Sequence, residues 1–320
     1  MYENVNEIEK KYKISDFPLN VSIEPGNGCN LNCIMCAHDK LTRPHGVMST
    51  TLYKKIIDEI AQENVFTRIW LDFYGEPLLI KFKLYYFIDY AKKQGIKSVC
   101  INTNGTLLNE EMADMLLDSG IDFISIDCDG FSKEVFEKIR VNANRDIVYN
   151  NIENLILKKK KYEDQGRRTP IIEIKINEMK ENAQEVDLVM KYWKEKGLWT
   201  AKRRLFSWAG KVDAYTNYNN KRVACGCGIG ILTITWDGIA TNCAMDEDAK
   251  FPCGNVNKES IKSIWIRRNK TLIEKHMNHD WDNLPTICKN CYDWMIVGEE
   301  RFDEKGNPIV KSYDADKKMI

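Results

Sequence analysis

Nothing in the sequence approaches the ~18 consecutive apolar residues that a membrane-spanning helix needs. Its first residues also lack the basic-then-apolar pattern of a secretory leader. A spanning or exported protein is therefore not expected, and the chain reads as cytoplasmic. Charge of one sign is lacking too. Lys plus Arg and Asp plus Glu number 47 each, so no net field recruits nucleic acid or an anionic bilayer. The run Lys158–Lys161 falls near the end of an amphipathic helix pattern and reads as a solvated face. What the 320-residue chain has in excess is cysteine, eleven in all. In a reducing compartment such clustering points to metal and not to disulfides.

The densest cluster is Cys29-Asn30-Leu31-Asn32-Cys33-Ile34-Met35-Cys36, a C-x3-C-x2-C run directly after the apolar strand pattern Val21 to Glu24. Three thiolates so spaced can occupy three corners of a cuboidal iron–sulfur cluster and leave its fourth iron without a protein ligand. A cysteine-ligated electron carrier fills all four positions, and a structural zinc site is likewise closed. The other reading is zinc with a fourth ligand from His38 or His45.

Downstream, β-rich runs alternate with helix-period runs. Strands are expected near 21–24, 67–73, 97–102, 121–127, 170–176 and 200–206, with helices near 50–63, 81–94, 109–119, 146–163 and 182–196. Ser49 or Thr50 suits a helix N-cap, and Gly95, Gly120 and Gly197 suit helix ends. Six strands separated by helices predict an α/β fold, a partial (β/α)6 TIM-like barrel with its site at the carboxyl ends of the strands. Those ends carry Tyr74-Gly75-Glu76-Pro77, Asn102-Thr103-Asn104-Gly105 and Ser125-Ile126-Asp127, with Arg140 beyond. Lys175, Asn177, Asn182, Arg203 and Arg204 are further candidates, though only one of two adjacent strand residues can face inward.

In this order the motifs resemble the radical S-adenosylmethionine (SAM) superfamily over residues 20–210. The resemblance implies that Cys29, Cys33 and Cys36 hold a [4Fe-4S] cluster whose free iron chelates SAM. It implies further SAM contacts from Met35, where many members carry an aromatic residue, and from Tyr74, Gly75 and Glu76 at the amino group. Asn104 belongs to the same set, with Ser125 and Asp127 near the ribose and Arg140 near the carboxylate.

Past a polar break at Asp213–Lys221 come Cys225-Gly-Cys227-Gly, an alternating run Ile229–Trp236, Asp237-Gly238 as a hairpin turn, and a strand ending at Cys243. A helix is expected from about Ser260, and then Cys288-x2-Cys291. This pattern resembles the shortened SPASM fold called a twitch domain, a β-hairpin plus helix that binds one auxiliary [4Fe-4S] cluster. The resemblance implies Cys225, Cys243, Cys288 and Cys291 as ligands, with Cys227 the rival of Cys225. A zinc ribbon would use paired C-x2-C knuckles, and one is present. The expected organisation is a lead-in at 1–18, the barrel at 19–212, the auxiliary domain at 213–300 and a tail at 301–320. No leader-peptide recognition domain is expected.

The resemblance implies reductive cleavage of SAM by an electron from a donor such as flavodoxin or ferredoxin. The resulting 5′-deoxyadenosyl radical takes a hydrogen atom from a carbon of a small polyol, amino sugar or nucleotide sugar. Epimerisation follows if a thiol returns a hydrogen atom, and dehydrogenation if the auxiliary cluster takes an electron. Cys253 is the expected hydrogen donor, with Cys128 its rival, while Cys100 reads as a buried packing residue. A peptide maturase is the alternative. A closed-cluster electron carrier or zinc-binding interaction protein is a reading of another class.

Overall fold

The computed structural model describes residues 9–10, 12–211, 222–295, 300–305 and 307. Strands β1 (Asn20–Ile23), β2 (Arg68–Trp70), β3 (Val99–Thr103), β4 (Phe123–Asp127), β5 (Ile171–Glu178) and β6 (Trp199–Arg204) lie in sequence order, each parallel to the next. Between them run α1 (Thr50–Glu63), α2 (Phe82–Lys93), α3 (Glu110–Asp118), α4 (Lys133–Ile139), α5 (Arg145–Asp164) and α6 (Val186–Glu195). This is the expected partial barrel. Ser49 caps α1 by accepting the Leu52 N–H at 3.1 Å, and Gly95, Gly120 and Gly197 follow helices with φ of +88°, +78° and +78°. The sequence pattern misses α4, whose seven residues bury only Phe136 and Ile139 and so show no helical period.

The second half departs from the expected separate module. After a short helix α7 (Gly226–Gly230), β7 (Ile231–Ile234) pairs in parallel with β1, from Asn20↔Ile231 to Ile23↔Ile234. Strands β8 (Ile239–Thr241) and β9 (Pro252–Asn255) then add antiparallel, so the hairpin continues the barrel sheet. Helix α8 (Ile261–Arg268) packs behind β9. At the opposite edge β10 (Glu300–Phe302) pairs antiparallel with β6, so the expected tail at 301 begins inside a strand. The expected polar break at 213–221, with 220 and 221 included, lies outside the described residues, as do residues 1–8 and 308–320.

Strand alternation divides the barrel into two environments. Val21, Ile69, Ile101, Ile124, Ile126 and Ile174 are buried in the core beneath the helices. Their neighbours on the opposite face include Ser22, Asp72, Asn102, Ser125, Asp127 and Lys175, so the inner face is polar. Below these, Phe123 packs edge-on against Trp70 at 5.8 Å and Trp199 at 6.2 Å, an aromatic floor near the amino ends of β4 and β6.

The helical layer is anchored by Trp193 of α6, fully buried with ring centroids 4.9 Å from those of Tyr149 and Tyr192. Trp193→Ala is expected to cost the cofactor-free chain about 3–5 kcal/mol in urea unfolding. Leu188→Ala, exposed on the same helix, should change it by no more than about 0.5 kcal/mol.

Candidate functional site

The loop after β1 presents Cys29, Cys33 and Cys36, all partly buried. It is fixed from the far side of the barrel. Asn32 N–H donates to the Val141 carbonyl and Ile34 N–H to that of Ile139, both at 3.1 Å. Burial raises all three thiols, that of Cys36 to about 12, with the charges of Cys33 and Cys29 adding to the rise. The nearest cation is Arg140, whose Nη1 lies 3.7 Å from Cys33 Sγ. Among the described residues no three His, Cys, Asp or Glu side chains converge on a single metal ion. The zinc reading also loses His38 Nε2, which lies 2.9 Å from the Asn27 carbonyl. Three mutually interacting thiols beside a guanidinium fit an anionic cluster, which spreads its ligands more widely than one ion does.

The strand-end motifs assemble around this loop and are bonded to it and to one another. Gly75 makes its close approach to the cysteine loop: a Cβ there would lie 2.4 Å from the Gly26 carbonyl oxygen and 3.0 Å from that of Gly28. Glu76, expected to reach toward SAM, turns inward. One carboxylate oxygen accepts from Leu78 N–H at 3.0 Å and the Thr103 hydroxyl at 2.6 Å, and the other from Asn104 N–H at 2.8 Å. Burial nevertheless pushes its pKa up to about 7. Asn104 donates to Asn30 Oδ1 at 3.0 Å, tying the turn after β3 to the cysteine loop. These residues buttress one another.

Arg140 is also taken up by protein partners. Its Nε and Nη2 lie 2.7 and 2.5 Å from Asp129 Oδ2, and Nη2 lies 3.2 Å from Asp127. Asp127 accepts from Asn102 Nδ2 at 2.9 Å and pairs with Lys175 at 3.3 Å. Burial opposes its ionisation, but Lys175, Arg140 and Arg203 hold its carboxyl well below the usual range. Ser125 donates to Glu173 at 3.3 Å. Of the two adjacent arginines, Arg203 joins this network, donating to Asn177 Oδ1 at 2.6 Å. Asn182 instead clips the Asp129 and Asn177 carbonyls, each at 2.9 Å. Sequence reasoning passed over Asp72, which packs against Ser22 and whose carboxyl burial raises to about 6 against the pull of Lys175. It ends an apolar strand with no motif of its own.

The second set gathers where the end of β8 meets α7. Burial drives the Cys225 thiol to about 12, helped by the neighbouring charges of Cys243 and Cys288. Cys291 is raised by burial, Asp293, Cys225 and Cys243. All four expected ligands thus share one region, whereas the side chain of Cys227 lies outside the described residues. Leu272, Ile273, Leu284 and Trp294 form an apolar cluster against Cys225 and Cys288. Into this region projects Arg268, 1% exposed. Its Nη2 and Nε donate to the Asn242 carbonyl at 2.8 and 3.3 Å, while Nη1 has no hydrogen-bond partner. No carboxylate lies within ion-pair distance of it among the described residues; burial lowers its pKa, and the charges opposing that are those of Cys253, Cys243, Cys225 and Cys288. A buried cation without a counterion is costly, and a closed anionic cluster on four thiolates would supply one. The sequence shows Arg268 only as the second of two arginines ending an amphipathic helix.

The remaining cysteines fall elsewhere. Cys128 alternates with the inward Asp127 and points outward, fully buried beside Tyr149 and Trp193. Cys100 is fully buried as expected. Cys253 lies in β9, its thiol directed at the Ala240 carbonyl at 3.4 Å, with Arg267 on its own carbonyl at 2.6 Å. Its neighbours thus come from β8 and α8, and none belongs to the strand-end set.

Family models match in both halves: the radical SAM superfamily over residues 23–162, and the SPASM iron–sulfur cluster-binding domain over 225–292. The SAM-dependent 2-deoxy-scyllo-inosamine dehydrogenase of Niallia circulans is 23% identical over 285 residues, 88% of this chain and 96% of that one. The structure titled BtrN in complex with AdoMet and 2-DOIA superposes with a TM-score of 0.61 at 19% identity, covering 88% of this chain and 94% of that one. Streptococcus suis SuiB bound to precursor peptide SuiA gives 0.62 at 13% identity, covering 82% and 67%. Two further curated relatives are matched over only 41% and 48% of their length. The two domains carry SAM and two [4Fe-4S] clusters as their cofactors. The chain belongs to the radical SAM superfamily and carries a C-terminal SPASM iron–sulfur domain.

Proposed function

We propose that this enzyme oxidises a small polar substrate, a polyol or amino sugar, within the barrel lumen. Cys29, Cys33 and Cys36 hold the SAM-binding cluster, and Cys225, Cys243, Cys288 and Cys291 the auxiliary one. The observation that carries the reading is the lumen itself. Asp72, Asn102, Asp127, Lys175 and Arg203 interact above the aromatic floor. Such alternating carboxylates and cations match hydroxyl and amino groups better than an apolar side chain. The likeness to an inosamine dehydrogenase over nearly its whole length supports the same substrate class.

With SAM and both clusters bound, the cofactors supply reductive cleavage of SAM, a hydrogen-atom-abstracting 5′-deoxyadenosyl radical and an acceptor for the substrate's electron. The chain's residues orient the substrate and take its proton. Oxidising a carbinol also requires loss of the hydroxyl proton, and Asp72 is a lumen carboxyl poised near neutrality. Its neighbour Lys175 holds the polar groups of the substrate against Asp127. Arg140, beside Cys33, would meet the SAM carboxylate with the charge that Asp129 and Asp127 leave it.

Anaerobically reconstituted protein is expected to contain two [4Fe-4S] clusters by iron and sulfide analysis. SAM should shift the electron paramagnetic resonance of one of them, and Cys36→Ala should abolish that signal alone. Arg140→Ala should weaken SAM binding about tenfold or more, as for a lost charge-assisted hydrogen bond.

Because Asp72 must be ionised to accept a proton, turnover should rise with pH through about 6. Asp72→Asn should remove that limb from the profile while still cleaving SAM.

Oxidation and epimerisation separate in deuterated water. An oxidised product, with Cys253→Ala turning over normally, is expected; an inverted product labelled at the inverted carbon, lost in that variant, would restore Cys253 as hydrogen donor. The maturase reading is favoured by the likeness to peptide-bound SuiB. It predicts 5′-deoxyadenosine formation with peptides and none with polyols or amino sugars.

A further inference from the structure

The segment after β6 joins the two cysteine sets. Trp208 and Ala209 take φ of +49° and +57°, followed by Gly210 at +84°. Left-handed backbone at two successive non-glycine residues persists only where surroundings over-determine it. Here Asp293 does so: its two carboxylate oxygens accept from Ser207 N–H at 2.6 Å and Ala209 N–H at 2.8 Å. Gly210 N–H closes the turn on Ser207 Oγ at 3.0 Å. Asp293 stands two residues beyond Cys291, and its own N–H lies 3.2 Å from Cys291 Sγ.

On its other side the turn reaches the first set. The Trp208 indole N–H donates to the Met35 carbonyl, between Cys33 and Cys36, at 2.6 Å. The indole also packs against the Tyr74 ring at 5.3 Å. Tyr74 is 2% exposed and its hydroxyl has no hydrogen-bond partner. Burial raises its pKa, and the charges adding to the rise come from Glu247, Cys36, Cys243 and Asp246, so the ring stands near both cysteine sets.

We propose that Trp208 is a positioning residue for the SAM site, held on the Met35 carbonyl by the Asp293-capped turn, so that filling the second cysteine set orders the first. The inference rests on the ligand assignment proposed above. Ligation of Cys291 fixes the backbone that carries Asp293, Asp293 fixes the turn, and the turn fixes the loop that chelates SAM through its cluster. By linkage the effect is reciprocal, so SAM binding also tightens the auxiliary site.

The test uses the full chain reconstituted anaerobically, with iron and sulfide content, SAM affinity and the paramagnetic spectrum of the SAM-bound cluster as readouts. Trp208→Phe, which keeps the ring and removes the donor, should retain both clusters. It should weaken SAM binding about fivefold, the effect of one hydrogen bond, and alter the spectrum. Asp293→Asn, left with one acceptor oxygen, should fall between wild type and Asp293→Ala. Trp208→Phe with Asp293→Ala should be no worse than the stronger single variant, as for two parts of one device. If Asp293→Ala sheds the auxiliary cluster, its SAM site should match that of Cys288→Ala. Unchanged SAM affinity and spectrum in Trp208→Phe, additive losses in the double variant, or a Cys288→Ala protein with a normal SAM site would each overturn the proposal. A wild-type protein with fewer than two clusters would instead reject the ligand assignment.

Discussion

Everything in this structure answers to one requirement, the burial of thiols that must become thiolates. Burial, with neighbouring negative charge adding to it, raises the cysteines of both sets, so ligation has to displace protons in a poorly hydrated place. Guanidinium groups are brought to each set from elsewhere in the fold: Arg140, after α4, to the first, and Arg268, at the end of α8, to the second, the latter joined by Arg222 beside Cys288. The two are held differently. Arg140 is neutralised by Asp129 and Asp127, whereas Arg268 rests on a carbonyl. The guanidinium of Arg268 and the carboxylate of Asp293 act together on the second set.

The barrel was legible because its signals are periodic and local. Ser49 capping α1, and the glycines ending α2, α3 and α6, follow from backbone chemistry that needs no tertiary context. The cysteine spacings were equally plain. What the sequence concealed were contacts between distant segments. Glu76 lies where a ligand contact was expected, yet its carboxylate satisfies donors from the turns after β2 and β3. Only the folded register reveals that those N–H groups lack other partners. Arg268, Trp208 and Asp293 sit in no motif, and each acquires its role from a neighbour far away in the chain. The neighbours of Cys253, the Ala240 carbonyl and Arg267, are likewise known only from the folded pairing of β8, β9 and α8.

The polar face of the barrel has a related logic. Close-packed aliphatic layers would fill such a lumen, but here polar side chains lie above the Trp70–Phe123–Trp199 floor. Above it, carboxylates and cations neutralise one another in pairs. A polar substrate entering this layer exchanges one set of hydrogen bonds for another, which favours selectivity by geometry over strong ground-state binding.

The place of β1 bears on how the chain is built. Its first neighbour, β2, follows within the same half of the barrel, but its second, β7, begins only at Ile231. During synthesis the parallel barrel must wait with an unpaired edge beside the cysteine loop until the residues of β7 have emerged. Such an edge is prone to adventitious pairing, and late, long-range closure is slow. A chain whose β7 has not yet paired would therefore expose the barrel seam and the cysteine loop together.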